Sequence, residues 1–75
     1  MTIVHFKRNH PKDAATYCFE DAVGKIYLLR FGLNSEPVKG LSPGFFDRCV
    51  EAKTIKIRYR NEDGVSVISE IIGMK

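Results

Sequence analysis

The pattern of apolar and polar positions is clearest in "KTIKIRYRNEDGVSV", Lys53 to Val67. Ile55, Ile57 and Tyr59 fall on one side of the alternation, and Thr54, Lys56, Arg58 and Arg60 on the other. A period of two with one apolar side is the mark of a half-buried strand. A second alternation runs from Ala15 to Phe31. Tyr17, Phe19, Tyr27, Leu29 and Phe31 share one face there, and Cys18, Ile26 and Leu28 share the other. Strands that are apolar on both faces are covered on both faces. Residues 2–7 ("TIVHFK") also read as a strand, because Ile3, Val4 and Phe6 are good β formers, and "RNHPKD" ends it at Pro11.

Two turns divide these strands into hairpins. Asp21-Ala22-Val23-Gly24 and Asn61-Glu62-Asp63-Gly64 each open on Asp or Asn and place Gly at the end, the grammar of a three-residue loop closed by a left-handed glycine. In the first hairpin this sets Asp21 against Lys25, Phe19 against Tyr27, Tyr17 against Leu29 and Ala15 against Phe31. In the second it sets Asn61 against Val65, Tyr59 against Val67, Ile55 against Ile71 and Lys56 against Glu70. A two-residue Asp63-Gly64 loop would instead oppose Ile57 to Glu70 and Lys56 to Ile71. The three-residue reading is preferred because opposed side chains share an environment.

Between the hairpins, residues 32–41 ("GLNSEPVKGL") carry loop residues. A helix is predicted over 43–52, with Ser42 as N-cap, Pro43 in the first helical position and Leu41 stapled against Phe46. Phe45, Phe46, Cys49 and Val50 form its apolar stripe. The order β-β-β-α-β-β predicts a small α+β domain: a curved antiparallel sheet of four to five strands with one helix packed on it. One helix cannot cover both apolar faces of the first hairpin. Either the sheet curls over itself, or a second copy covers Tyr17, Phe19, Tyr27, Leu29 and Phe31, or the opposite face at Cys18, Ile26 and Leu28.

Composition narrows the function classes. A chain of 75 residues predicts one domain, 1–75, with little stability to spare, which again favours a homo-oligomer. The N-terminus has no apolar run behind a basic start, and no stretch approaches the roughly 20 apolar residues of a spanning helix. A cytoplasmic protein with no membrane contact is expected. The two cysteines, Cys18 and Cys49, sit among apolar neighbours and read as core thiols. With His5 and His10 they lack the spacing of a metal site, so neither metal nor cofactor is expected. Asp13, Glu20 and Asp21 adjoin turns, and no nucleophile–base–orienter set can be assembled. The chain is expected not to be an enzyme.

The net charge is +3, mild for a nucleic-acid binder. The basic row Lys56, Arg58 and Arg60 reads first as the wet face of a strand. Were Lys7, Arg8 and Lys12 to lie beside it, with His5, His10 and Tyr59, the surface would become a patch for phosphates and bases. Residues 47–73 ("DRCVEAKTIKIRYRNEDGVSVISEIIG") resemble the opening helix and hairpin of WYL-type domains, small β-rich regulatory domains of bacterial transcription factors. The Trp-Tyr-Leu strand of that family follows the hairpin; here Ile26-Tyr27-Leu28 precedes it and has no Trp. The resemblance implies a module that senses a ligand or nucleic acid. Three readings follow: a self-associating interaction module, a nucleic-acid-binding accessory protein, and a small-ligand pocket between helix 43–52 and the sheet.

Overall fold

The computed structural model describes residues 2–32 and 35–75. Five strands and one short helix follow in order: β1 (Thr2–His10), β2 (Asp13–Glu20), β3 (Ile26–Arg30), α1 (Phe45–Cys49), β4 (Ile55–Glu62) and β5 (Val65–Met74). The strands close into a barrel in the order β1-β2-β3-β5-β4, with β4 returning to β1. All pairs are antiparallel except β3–β5, which run parallel and meet at Leu28 and Val67. The expected antiparallel sheet is therefore strand-dominated and shut, with one parallel seam. Closure removes the exposed edges that an open sheet of this size would carry.

The first hairpin has the predicted register. Phe19 faces Tyr27 and Tyr17 faces Leu29. Asp21 and Lys25 close the loop by a backbone bond of 3.0 Å, with Gly24 at φ +89°. The second hairpin differs. Asp63 and Gly64 both have positive φ and form a two-residue loop, with Glu62 opposite Val65 and Tyr59 opposite Ile68. An irregularity between Ile68 and Glu70 then shifts the pairing, so that Arg58 faces Glu70 and Ile57 faces Ile71. Through a bulge at Ser69, Glu70 and Ile71 still meet a basic residue and an isoleucine, each two residues along β4 from the one predicted, whereas Lys56 faces Gly73 and Ile55 faces Met74 in place of Glu70 and Ile71.

β1 is longer than residues 2–7. It runs through Arg8, Asn9 and His10 to a two-residue turn at Pro11-Lys12, where proline donates no ladder bond. The helix is shorter than 43–52. Gly44, at φ +79° and ψ 2°, holds its N-cap position in the left-handed conformation, so Ser42 and Pro43 stay outside it. The Ser42 carbonyl accepts the Phe45 N–H, and its hydroxyl accepts a bond from Arg48. Val50 lies outside the stripe and is exposed.

Val4, Phe19, Tyr27, Leu29, Ile55, Ile57, Ile68 and Ile71 fill the barrel, and Phe45 and Cys49 of α1 plug one end. Phe6, Tyr17, Phe31 and Phe46 gather at that end, with Tyr17 4.8 Å and Phe31 4.6 Å from the Phe46 ring. Beyond the Leu28–Val67 contact the chain itself continues the seam. Lys39 bonds to Ser69 and Ile71 through its backbone. Part of the predicted 32–41 loop thus pairs with β5; Leu33 and Asn34 lie outside the described residues. Among the described residues no helix is long and apolar enough to cross a membrane.

Candidate functional site

The residues first expected to meet a second copy are largely the barrel interior. Phe19 and Leu29 are fully buried and Tyr27 is 3% exposed, so none of them offers a contact surface. Tyr17 is half-buried, and Phe31 alone is exposed. Of the two alternatives, the sheet curls over itself on this face.

The basic row is only partly free. Arg60 donates to Glu62 at 2.6 Å and lies 3.2 Å from Glu36, while Glu62 also approaches Arg30 at 3.9 Å. Arg58 pairs with Glu70 at 3.5 Å, in place of the expected Lys56–Glu70 pair. Lys7 bonds to Glu20 at 2.8 Å, and this bond, with His5 nearby, holds the Glu20 carboxyl below the usual carboxylate range. Arg8 and Lys56 enter no ion pair among the described residues.

β1 does lie beside β4, but in the sense that separates the cations. Thr2 sits opposite Ile57 and Val4 opposite Ile55. Lys7 and Arg8 therefore lie on the far side of that contact from Arg58 and Arg60; five residues of strand past Thr2 are about 17 Å. Lys12 is farther still, in the turn after β1. Tyr59 is turned against Tyr27, with ring centroids 4.9 Å apart, and Lys25 Nζ sits 4.8 Å over its ring. The predicted cations and aromatics do not form one patch.

The carboxylates near the turns are occupied locally. Asp13 accepts bonds from Thr16 and the Ala15 N–H, which keep its carboxyl below the ordinary range. Asp21 accepts from the Val23 and Lys25 N–H groups and, at 2.9 Å, from the Tyr27 hydroxyl. Burial, with that bond to Asp21, pushes the Tyr27 phenol up to about 12. Cys18 and Cys49 are free and buried, and burial pushes the Cys49 thiol up. His10 Nδ1 accepts the Lys12 N–H, and among the described residues no three potential metal ligands come together.

Two outer surfaces stand out among the described residues. The first is the outside of β2, β3 and β5. Pairing sets Arg8, Cys18, Leu28, Val67 and Arg60 in one row across the strands, and places Ile26 and Val65 beyond it. Cys18 and Val67 are buried in this layer, Leu28 is half-buried, and Ile26 and Val65 are 37% and 36% exposed. Its rim carries both signs: Lys7, Arg30 and Arg60 with Glu20, Glu36 and Glu62. The alternation showed Cys18, Ile26 and Leu28 on this side. Val65 and Val67 join them only because β5 crosses over to β3.

The second surface lies where β4 begins and β5 ends. A hollow of about 270 Å³ is lined there by Thr54, Lys56, Ile72, Gly73, Met74 and Lys75. An adjoining open hollow of about 200 Å³, beside α1, includes Phe45, Arg48 and Ile71; it is where a pocket between helix and sheet was expected. Comparison with protein families, with curated proteins and with solved structures finds no match for the chain. The likeness of residues 47–73 to WYL-type domains rests on those residues alone.

Proposed function

We propose that the protein is a non-catalytic interaction module that self-associates through the outer face of β2, β3 and β5. The observation that carries this reading is the apolar patch of exposed Ile26 and Val65 with half-buried Leu28, set over buried Cys18 and Val67 and rimmed by both charge signs. A two-fold contact brings the same patch against itself, so a rim of mixed sign can be self-complementary where a rim of one sign would repel. The apolar area is modest. A standard interface buries about 800 Å² on each partner, close to a sixth of the 5043 Å² the protein exposes. A weak, micromolar dimer is therefore expected. Sedimentation velocity over a concentration series is the test: the native protein should shift toward dimer, and Ile26→Glu or Val65→Glu should hold it as monomer. Both side chains are partly exposed, so the fold should survive either change. A monomer at every concentration removes the proposal.

A second reading, nucleic-acid binding, is favoured by the strand order. A five-stranded Greek-key barrel with a helix between β3 and β4 has the topology of oligonucleotide- and oligosaccharide-binding barrels, which hold ligands on the β2–β3 face. This is an analogy of fold, and one fold serves many functions. The same face here displays Cys18, Ile26 and Leu28 and lacks the aromatic platform on which bases stack. Retention on single-stranded DNA or RNA at graded salt tests it. Binding that weakens steeply with salt and is lost in the Arg58→Glu, Arg60→Glu double variant supports this reading over self-association.

A further inference from the structure

We propose that the hollow between the start of β4 and the end of β5 docks an acidic peptide by one aliphatic side chain. The hollow arises from the second irregularity of the β4–β5 ladder. Ile57 pairs with Ile71, but Lys56 pairs with Gly73, so Ile72 is the extra residue. Gly73 contributes no side chain, and a Cβ built there meets nothing within 4 Å. Ile72 is left 38% exposed, and Ile3, opposite Lys56 on β1, is 51% exposed. Both are among the exposed large apolar side chains of the barrel; Ile72 lines a concavity of about 270 Å³, and Ile3 lies one strand away, across Lys56 from Gly73.

The charge around the hollow selects the occupant. Lys56 and Lys75 line it, and Lys53 is joined to Lys75 by a backbone bond of 2.8 Å. Among the described residues none of these three ammonium groups enters an ion pair. The neighbouring Glu70 is engaged by Arg58. A lysine stem lies along apolar surface while its head stays in water, so an aliphatic floor ringed by lysines complements an apolar side chain flanked by carboxylates. Among the described residues no aromatic side chain lines the hollow, so a nucleobase finds no stacking partner there. The surface is concave, which suits one inserted side chain better than the plane of a bilayer. The site is at the opposite end of β5 from Val65 and does not depend on self-association.

The experiment is fluorescence anisotropy with a labelled peptide, Asp-Glu-Leu-Glu-Asp, against the full chain. Binding should weaken with salt, and should fall about tenfold, or 1.4 kcal/mol, when the central Leu becomes Ser. Gly73→Leu, which fills the hollow without touching the charge, should cost as much, and Lys56→Glu at least as much. A thermal melt checks that each variant folds; if Gly73→Leu does not, Gly73→Ala with Ile72→Ser replaces it. No peptide binding overturns the proposal. So does equal binding of the Leu and Ser peptides, or of Gly73→Leu and the native protein, because either leaves only diffuse attraction. Binding to anionic vesicles that exceeds peptide binding and is indifferent to Gly73→Leu assigns the surface to membranes instead.

Discussion

Replacing Gly40 by Ala should be among the most damaging single-methyl changes in the chain. Gly40 has φ +77°, and a Cβ there would collide with the Ile71 carbonyl oxygen. That close approach lets Lys39 donate its N–H to Ser69 and accept the N–H of Ile71 at 2.8 Å, closing the seam where β3 leaves β5. The left-handed conformation costs an alanine about 1–2 kcal/mol. Relieving the collision moves residues 39–40 off β5, and two backbone bonds at about 1 kcal/mol each go with them. The sum, about 3 kcal/mol, is a large part of the roughly 4–11 kcal/mol expected for a domain of this length. At about 4–8 °C per kcal/mol the midpoint should fall by roughly 12–25 °C. Thermal denaturation followed by circular dichroism is the assay, with Gly24→Ala as control. Gly24 has φ +89° but nothing within 4 Å of its Cβ position, so only the conformational cost applies. If Gly40→Ala loses no more than Gly24→Ala, the close approach and the tied seam are not what holds this region.

Other outcomes follow from the same contacts. Tyr27 holds its proton more tightly folded than unfolded, at about 12 against 10.0. Its contribution to stability should be complete below the unfolded value and lost as pH rises through the folded one; denaturant melts should show this decline, and Tyr27→Phe should flatten it. Cys18 and Cys49 are buried and free, so a thiol reagent should label them slowly in the native protein and at once in denaturant. Fast native labelling of both would contradict the packing. Arg60→Ala should destabilise by about 0.5–1 kcal/mol, because Glu36 loses its partner and Glu62 keeps only the more distant Arg30, whereas Lys56→Ala should stay within about 0.5 kcal/mol, as paired urea melts would show.

What could be read from the sequence was local. Asp21 and Gly24 close a turn inside one hairpin, and the alternation on either side fixed Phe19 against Tyr27. The second hairpin shows the limit of that reasoning. A three-residue loop and a two-residue loop followed by a bulge at Ser69 point Glu70 and Ile71 to the same faces. Ile71 meets an isoleucine and Glu70 a basic residue in both, so pattern matching cannot separate registers two residues apart. The helix start was misplaced because Ser42-Pro43 carries the usual signals, while Gly44 takes the left-handed conformation and delays the helix to Phe45. Closure of the barrel was open in the sequence, since the parallel contact of Leu28 with Val67 joins elements separated by the loop, α1 and β4. That contact is also what adds Val65 and Val67 to the outer face. The hollow at Gly73 needs the second irregularity of β5, which a pattern of faces does not reveal. Nor does it show that Arg60 is held by Glu36 and Glu62.

Self-association through the outer face of β2, β3 and β5 is tested most directly by amide chemical shifts of the native protein across a dilution series. Concentration-dependent shifts should be confined to Cys18, Ile26, Leu28, Arg30, Val65 and their neighbours, and should vanish in Ile26→Glu. Spectra that do not change with concentration, or shifts centred on β1 and the start of β4, would contradict the account.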